Sequence, residues 1–230
     1  MPVALVTGAS RGLGRALAHA LTERGWSLVV DARGAEELTA VAGRLGGVIF
    51  PYVGDVADPT HREELTAAVR KLGRLDLLVN NASVLGPSPQ PLLRDYPLDE
   101  MRRVYEVDVF APLALVQSML PLLTASAGIV LDVSSDAAVE AYEGWGGYGS
   151  AKAALDHLTA ILGAEEPAVR AYAFDPGDMR TDLQQQAFPG EDISDRPEPE
   201  TVVPAVLRLL ETRPPSGRYR AADLLPAGVS

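Results

Sequence analysis

Tyr148 and Lys152 stand one helical turn apart in Tyr148-Gly149-Ser150-Ala151-Lys152, and Ser135 lies upstream on a separate segment. On a helix, residues four apart share a face, so the ammonium can lie beside the phenol. A positive neighbour favours the phenolate and draws the tyrosine pKa from about 10 toward the working pH, where a general acid or base is most effective. Such a pair also occurs on ordinary helices, so its weight depends on the rest of the chain. A second set of residues supplies that weight. Thr7-Gly8-Ala9-Ser10-Arg11-Gly12-Leu13-Gly14 follows an apolar run and opens an amphipathic stretch. Three glycines permit a tight turn, close approach of backbone amides to a pyrophosphate and tight packing of helix on strand.

The elements that must position these groups are legible as alternating short apolar runs and longer helical patterns. Strands are expected over Val3 to Thr7, Ser27 to Asp31, Gly47 to Tyr52, Leu75 to Asn80, Gly128 to Val133, Val169 to Phe174 and Gly217 to Arg220. Helices are expected to begin near Gly12, Gly34, Pro59, Leu98, Tyr148 and Thr201. Continuous apolar strands separated by helices imply an α/β fold: a doubly wound parallel sheet of about seven strands, covered on both faces. Ligands then collect at the carboxyl ends of the strands. Proline-rich segments at 86–97 and 178–200 leave strands at that edge and are expected to be substrate loops. No composition break divides residues 1–230, so one domain is expected. The helix after Leu98 is apolar on most sides, through Met101, Val104, Val107, Val109, Phe110, Leu113, Leu115, Val116 and Met119. A helix of this kind must be covered twice, by the sheet and by a second subunit or the Tyr148 helix. A homodimer or homotetramer is the expectation.

Composition excludes several classes. With 230 residues, 47% of them hydrophobic, the chain can bury a substantial core. Its formal net charge of -11 repels phosphate backbones and anionic membrane surfaces, so neither nucleic acid nor a membrane is an expected partner. The absence of cysteine removes disulfides, thiol catalysis and cysteine metal sites, and no metal site is expected. The first residues enter an apolar strand without a basic stretch, unlike a secretory signal, and no apolar run reaches the roughly 18 to 20 residues of a membrane span. A soluble, cytoplasmic protein is expected.

Taken in order, TGASRGLG, Asp55-Val56 after the third strand, Asn80-Asn81-Ala82-Ser83 after the fourth, YGSAK, and Pro176-Gly177 with Thr181 after the sixth resemble the short-chain dehydrogenase/reductase family, in its short single-domain form with a Rossmann-like fold. The match covers almost the whole chain. The resemblance implies that Tyr148 is the general acid/base, that Lys152 lowers its pKa and binds the nicotinamide ribose, and that Ser135 holds the substrate oxygen. The family's serine stands thirteen residues before the tyrosine, which selects Ser135 over Ser134. It also implies that Gly8, Ser10, Arg11, Gly12, Leu13 and Gly14 cradle the cofactor. Asp55 with Val56 would meet the adenine, Asn81 and Ala82 would line the cofactor beside the fourth strand, and Pro176, Gly177 and Thr181 would hold its carboxamide or diphosphate. Asp55 and Thr181 are also placed to cap the helices that follow. The chain departs from the family at Asp108, where Asn is usual. In the family the backbone carbonyl of that residue holds a water on the active-site lysine. A carboxylate there could pair with Lys152 and weaken its effect on Tyr148, or bond locally; retained activity is the expectation.

Val29-Val30-Asp31-Ala32-Arg33 bears on the choice of cofactor. An acid after the second strand favours NAD, and arginines accommodate a 2′-phosphate. By comparison with the family the NAD-marking position falls on Ala32, whereas Arg33 and Arg11 fall on positions typical of NADP-dependent members. NADP(H) is therefore the preferred cofactor, with NAD(H) possible, and Asp31 is expected to be buried near the strand end or paired with an arginine. The implied reaction interconverts a carbonyl compound and an alcohol. Tyr142, Trp145, Leu85, Met179, Leu183 and Phe188 suggest an apolar or aromatic small-molecule substrate. The alternative is a cofactor-binding sensor or assembly protein without turnover.

Overall fold

A computed structural model describes residues 1–225. Seven strands, β1 (Val3–Val6), β2 (Ser27–Ala32), β3 (Ile49–Val53), β4 (Leu77–Asn80), β5 (Ile129–Val133), β6 (Arg170–Asp175) and β7 (Gly217–Arg220), form one parallel sheet in the order β3-β2-β1-β4-β5-β6-β7. The helices are α1 (Gly12–Glu23), α2 (Ala35–Arg44), α3 (Pro59–Leu72), α4 (Leu98–Tyr105), α5 (Ala111–Ala125), α6 (Gly146–Glu165), α7 (Asp182–Ala187), α8 (Val203–Thr212) and α9 (Ala221–Leu224). Strand order reverses between β1 and β4, which opens a crevice at their carboxyl ends.

The five inner strands read as largely apolar runs because successive side chains enter two different cores. Ala4 and Val6 pack on one face with Leu17 and Leu21 of α1 and Val206 and Leu209 of α8. Val3 and Leu5 pack on the other with Leu65 and Val69 of α3 and Leu115 and Met119 of α5. Leu5 is in register with Val29 on one side and Leu78 on the other, so the center of the sheet is apolar in all directions. Truncating such a leucine to alanine costs about 2 to 5 kcal/mol. Pro51 is confined to β3, an edge strand, where a missing N–H is tolerated. Local signals set the helix ends as well. Asp58 accepts a bond of 2.9 Å from the Thr60 amide, Pro59 opens α3, and Gly73 closes it in a left-handed conformation.

Three expectations need amendment. Residues 178–200 are not wholly irregular, because α7 forms within them, capped by Thr181. The long apolar helix is α4 and α5 joined by a π-helical turn, Glu106–Phe110, in which the Ala111 amide bonds the Glu106 carbonyl. The wider turn buries Val107, Asp108 and Val109 together, which a regular surface helix would not do. This continuous helix, Leu98–Ala125, is 28 residues long and contains a window apolar enough to cross a membrane, contrary to the expectation that no run reaches that length. Half of the window is buried in the protein, as befits a core helix. α6 covers one flank, through Val104 and Val109 against Ala151, Ala154 and Leu158, while Phe110 remains 52% exposed.

Candidate active site

A cleft of about 680 Å³ runs along the carboxyl ends of the central strands. Gly8, Ser10, Arg11, Gly12, Leu13, Arg33, Asp55, Val56, Asn81, Ala82, Ser135, Tyr148, Lys152, Pro176, Gly177 and Thr181 all line it. Two expected site residues do not. Gly14 and Asp108 stand behind the wall and shape the cleft from there.

At one end, Gly8 and Gly12 adopt φ of 66° and 53°, which glycine alone tolerates without strain. A Cβ on Gly14 would collide with the Gly8 carbonyl and the Asn81 amide, so this glycine lets α1 pack against the turn. The Asn81 side chain reinforces that contact by donating to the carbonyls of Thr7 and Gly8, at 2.8 and 3.1 Å. Arg11, the residue before α1, contributes no side-chain cap, so the first amides of the helix keep their bonding capacity beside the cleft. A shielded glycine cradle leading to uncapped amides fits the pyrophosphate of a dinucleotide.

The wall of the cleft beside the end of β2 carries charged residues. Arg33 is exposed, lines the cleft and makes no ion pair among the described residues, whereas Arg11 bonds Asp182 of α7 at 2.7 Å. Asp31 is buried, as expected, but its partner is not an arginine. It accepts from the Gly8 amide at 2.8 Å and pairs with His61 Nε2 at 3.0 Å. That bond to Asp31 holds the His61 pKa above its ordinary value, despite the opposing effect of burial. Asp55 does not cap α3; it receives the Ala57 amide at 2.9 Å, and Asp58 is the cap. Thr181 does cap its helix, receiving the Gln184 amide at 3.2 Å, while still lining the cleft.

At the other end, α6 presents Tyr148 and Lys152 on one face, with the ammonium 5.4 Å from the ring centroid. Lys152 is only 2% exposed. It donates to the Val133 carbonyl at 2.9 Å and pairs with Asp108 at 3.0 Å. Asp108 also accepts from the Val84 amide at 3.2 Å and from the Ser83 hydroxyl in a very short bond. The carboxylate therefore both pairs with the lysine and bonds locally. Burial pushes the Tyr148 phenol above its ordinary pKa; Lys152 pulls it back, Asp108 opposes Lys152, and hydrogen bonding from Ser83 and Ser135 helps Lys152. Burial pulls the Lys152 ammonium down, but Asp108 foremost, with Tyr148, carries it above the ordinary value. Ser135 receives the Ala137 amide at 3.2 Å and donates to Asp136 at 3.0 Å, which fixes its hydroxyl at the cleft wall. The Ser134 amide donates to the Phe174 carbonyl at 2.7 Å, tying β5 to β6.

Two residues at this end carry no role in the sequence reading. Ser83 ends the Asn80-Asn81-Ala82 run, and only its hydroxyl at a motif's edge hints at its contact with Asp108. Arg218 of β7 donates to the Ser135 carbonyl at 2.8 Å while pairing with Asp156 and Asp175, both at 2.9 Å. No local pattern marks it, because its partners lie 43 to 83 residues away.

Above Tyr148 the wall is apolar. Leu85, Trp145, Met179 and Leu183 line the cleft, and the Trp145 ring meets Tyr148 edge-on at 5.9 Å. Tyr142 and Phe188 do not line it. Both pack on the Trp145 ring, at 6.1 and 6.2 Å, and Tyr142 donates to Asp136 at 3.0 Å.

A short chain dehydrogenase family model matches residues 2–192. The chain belongs to the short-chain dehydrogenase family. This short-chain dehydrogenase is 35% identical over 215 residues to a benzil reductase, (S)-benzoin forming, of Saccharomyces cerevisiae, which covers 89% of this chain and 80% of that protein. It is 34% identical over 201 residues to sepiapterin reductase of Mus musculus, covering 80% of this chain and 77% of that one. An alcohol dehydrogenase of the archaeon Thermococcus sibiricus, solved in complex with 5-hydroxy-NADP, superposes with a TM-score of 0.85 at 28% identity, over 96% of this chain and 95% of that chain. The seven-stranded parallel sheet is the family's Rossmann-like fold, and the protein is an oxidoreductase of a family that uses nicotinamide cofactors.

Proposed function

We propose that this short-chain dehydrogenase is an NADP(H)-dependent carbonyl reductase, interconverting an apolar or aromatic ketone or aldehyde and its alcohol. The observation that carries the reading is the Tyr148–Lys152 pair on α6, at one end of a cleft whose other end holds the glycine turn. Bound nicotinamide supplies or accepts the hydride. The chain's residues do the rest. Ser135 and Tyr148 would hold the carbonyl oxygen, and Tyr148 would deliver a proton to it as negative charge develops there. Lys152 stabilises the phenolate left behind. Trp145, Leu85, Met179 and Leu183 exclude water and favour a flat, apolar group beside Tyr148.

Preference for NADP(H) is supported by Arg33, which reaches the cleft without a carboxylate partner among the described residues, and by Arg11, which lines the same cleft while paired with Asp182. A homo-oligomer joined through α5 and α6 is part of the same reading, as is a cytoplasmic location; the association is supported by the exposed Phe110 and by the mainly apolar groove that Pro112, Leu113, Val116, Leu155, Leu158 and Leu162 form with Asp132 and Thr159. Light scattering of the purified chain reports the oligomer directly.

Oxidation of NADPH with benzil, and with a panel of aromatic ketones and aldehydes, tests the activity. Turnover that is lost in Tyr148→Phe while NADPH still binds is the expected result. NADPH binding with no turnover of any candidate would instead favour a cofactor sensor.

A further inference from the structure

Asp136 lines the cleft beside Ser135, and the scheme above gives it no part. Three neutral donors set its carboxylate: Oδ1 receives the Ser135 hydroxyl at 3.0 Å and the Ala137 amide at 2.8 Å, and Oδ2 receives the Tyr142 hydroxyl at 3.0 Å. The bond to Asp136 holds the Tyr142 phenol above its ordinary pKa, so it remains a donor. Asp136 is exposed, and no cation pairs with it among the described residues, so its negative charge is open to the cleft. This is the end of the cleft that holds Tyr148. Ala137, the next residue, packs with Tyr148 and Leu85, and the Tyr142 ring meets Trp145, which in turn meets Tyr148.

The bond between Ser135 and Asp136 has a chemical consequence. A serine hydroxyl has a single proton to give. While Asp136 holds it, Ser135 offers only lone pairs to the cleft, yet a carbonyl oxygen needs a donor. A simple ketone must therefore draw that proton away from a carboxylate, which is the stronger acceptor. A ketone with a hydroxyl on the adjacent carbon escapes this competition. Its hydroxyl donates to Asp136 in place of Ser135, and the Ser135 proton turns to the carbonyl oxygen. Ser135 Oγ and Asp136 Oδ1 are 3.0 Å apart, a spacing that carbonyl and hydroxyl oxygens on neighbouring carbons reproduce when both lie on the same side of the bond between them.

We propose that Asp136 is a specificity-determining residue that selects α-hydroxy ketones, receiving the substrate hydroxyl while Ser135 and Tyr148 bind the carbonyl oxygen. The inference rests on the carbonyl reductase reading and names the substrate class of that same site. The ketone, NADPH and one proton give a 1,2-diol and NADP+. Hydride makes the new C–H bond, the carbonyl π electrons move to oxygen, and the proton from Tyr148, replaced from solvent, completes the new O–H. The substrate hydroxyl keeps its own proton throughout. A carboxylate or phosphate on the adjacent carbon meets like charge at Asp136 and is rejected.

Three ketones test the selection. Deoxybenzoin lacks the hydroxyl of benzoin, and benzoin methyl ether keeps the oxygen without its proton. With NADPH, the wild-type kcat/KM for benzoin is expected to exceed that for either analogue by about tenfold or more. In Asp136→Ala the three values should become about equal, chiefly through loss of benzoin reduction. Asp136→Asn keeps an acceptor without the charge and should lower the preference by about threefold or more, which decides the matter even if the alanine variant does not fold. Damage to the fold alone would depress all three ketones together and leave their ratio intact. Equal rates for the three ketones in the wild type, or a preference for benzoin that survives in both variants, overturns the proposal. If the wild-type chain reduces none of them, the proposed function fails, and calorimetric binding of the same ketones to the NADPH complex decides the role of Asp136 by the same ratios.

Discussion

Arg218, on the edge strand β7, holds the backbone carbonyl of Ser135 at 2.8 Å, so the serine expected to bind the substrate oxygen is anchored from the far side of the sheet. The same guanidinium bonds Asp156 of α6 and Asp175 at the end of β6, while Asp175 receives the Gly177 amide at 3.0 Å. One side chain therefore ties together the serine loop, the helix of Tyr148 and the turn that precedes residues 178–200.

Replacing Arg218 tests that anchoring. Arg218→Met leaves Asp156 and Asp175 without their cation and takes one of two donors from the Ser135 carbonyl, which keeps the Ala138 amide at 3.1 Å, and a loss of about 2 kcal/mol in urea denaturation is expected, less than for a fully buried pair because Arg218 is partly exposed. A fall in kcat of roughly tenfold should accompany it as the Ser135 hydroxyl loses its position. Arg218→Lys retains charge but not the fork, so it should recover stability more than kcat. Equal recovery of both would mean that Arg218 serves the fold alone.

Much of the fold was legible because the five inner strands lie in the interior of a parallel sheet and announce themselves as largely apolar runs. The glycine turn was equally legible, since backbone conformation and close packing leave few residues able to stand at Gly8, Gly12 and Gly14. The π-helical turn was not: its extra residue is invisible in a stretch already apolar on most sides, and it is this turn that sends Asp108 inward to Lys152. Ser83 and Arg218 were missed for a related reason. Their partners are brought together by strand order, over separations of 25 to 83 residues, and no local spacing encodes them.

The Asp108–Lys152 pair predicts strong non-additivity. Lys152→Met leaves a fully buried carboxylate without its cation, and about 3 to 5 kcal/mol of stability should be lost. Adding Asp108→Asn removes the stranded charge and should recover most of that loss in thermal unfolding, without returning carbonyl reduction. Additive losses in the double variant would show that the two groups do not act as a pair.

The two arginines should separate the cofactors. Arg33→Ala is expected to raise the KM for NADPH about 10- to 100-fold and to leave NADH nearly unchanged, since a charge-assisted bond to the 2′-phosphate is worth about 1.5 to 3 kcal/mol. Arg11→Ala should have a smaller effect, because this side chain must leave Asp182 to reach the phosphate. Asp182→Ala should accordingly strengthen NADPH binding modestly. Initial rates with both cofactors measure all three, and parallel changes for NADPH and NADH would sink the assignment of a phosphate site.

His61 gives the pH dependence of stability a definite sign. Its bond to buried Asp31 raises its pKa in the folded chain above the unfolded value of about 6.5, so the folded state holds the proton more tightly. The resulting stabilisation is fully present below the unfolded pKa, and it is lost as pH rises through the folded one. His61→Gln abolishes the titration while leaving a neutral donor for Asp31. The wild-type advantage in Tm over His61→Gln is therefore expected to be greatest near pH 6 and to shrink toward pH 9. Because Asp31 also receives the Gly8 amide, the same substitution should loosen the glycine turn and weaken NADPH binding, which calorimetry can follow over the same range. A difference in Tm that stays constant across those pH values would show that the His61 proton contributes nothing to holding Asp31 in place.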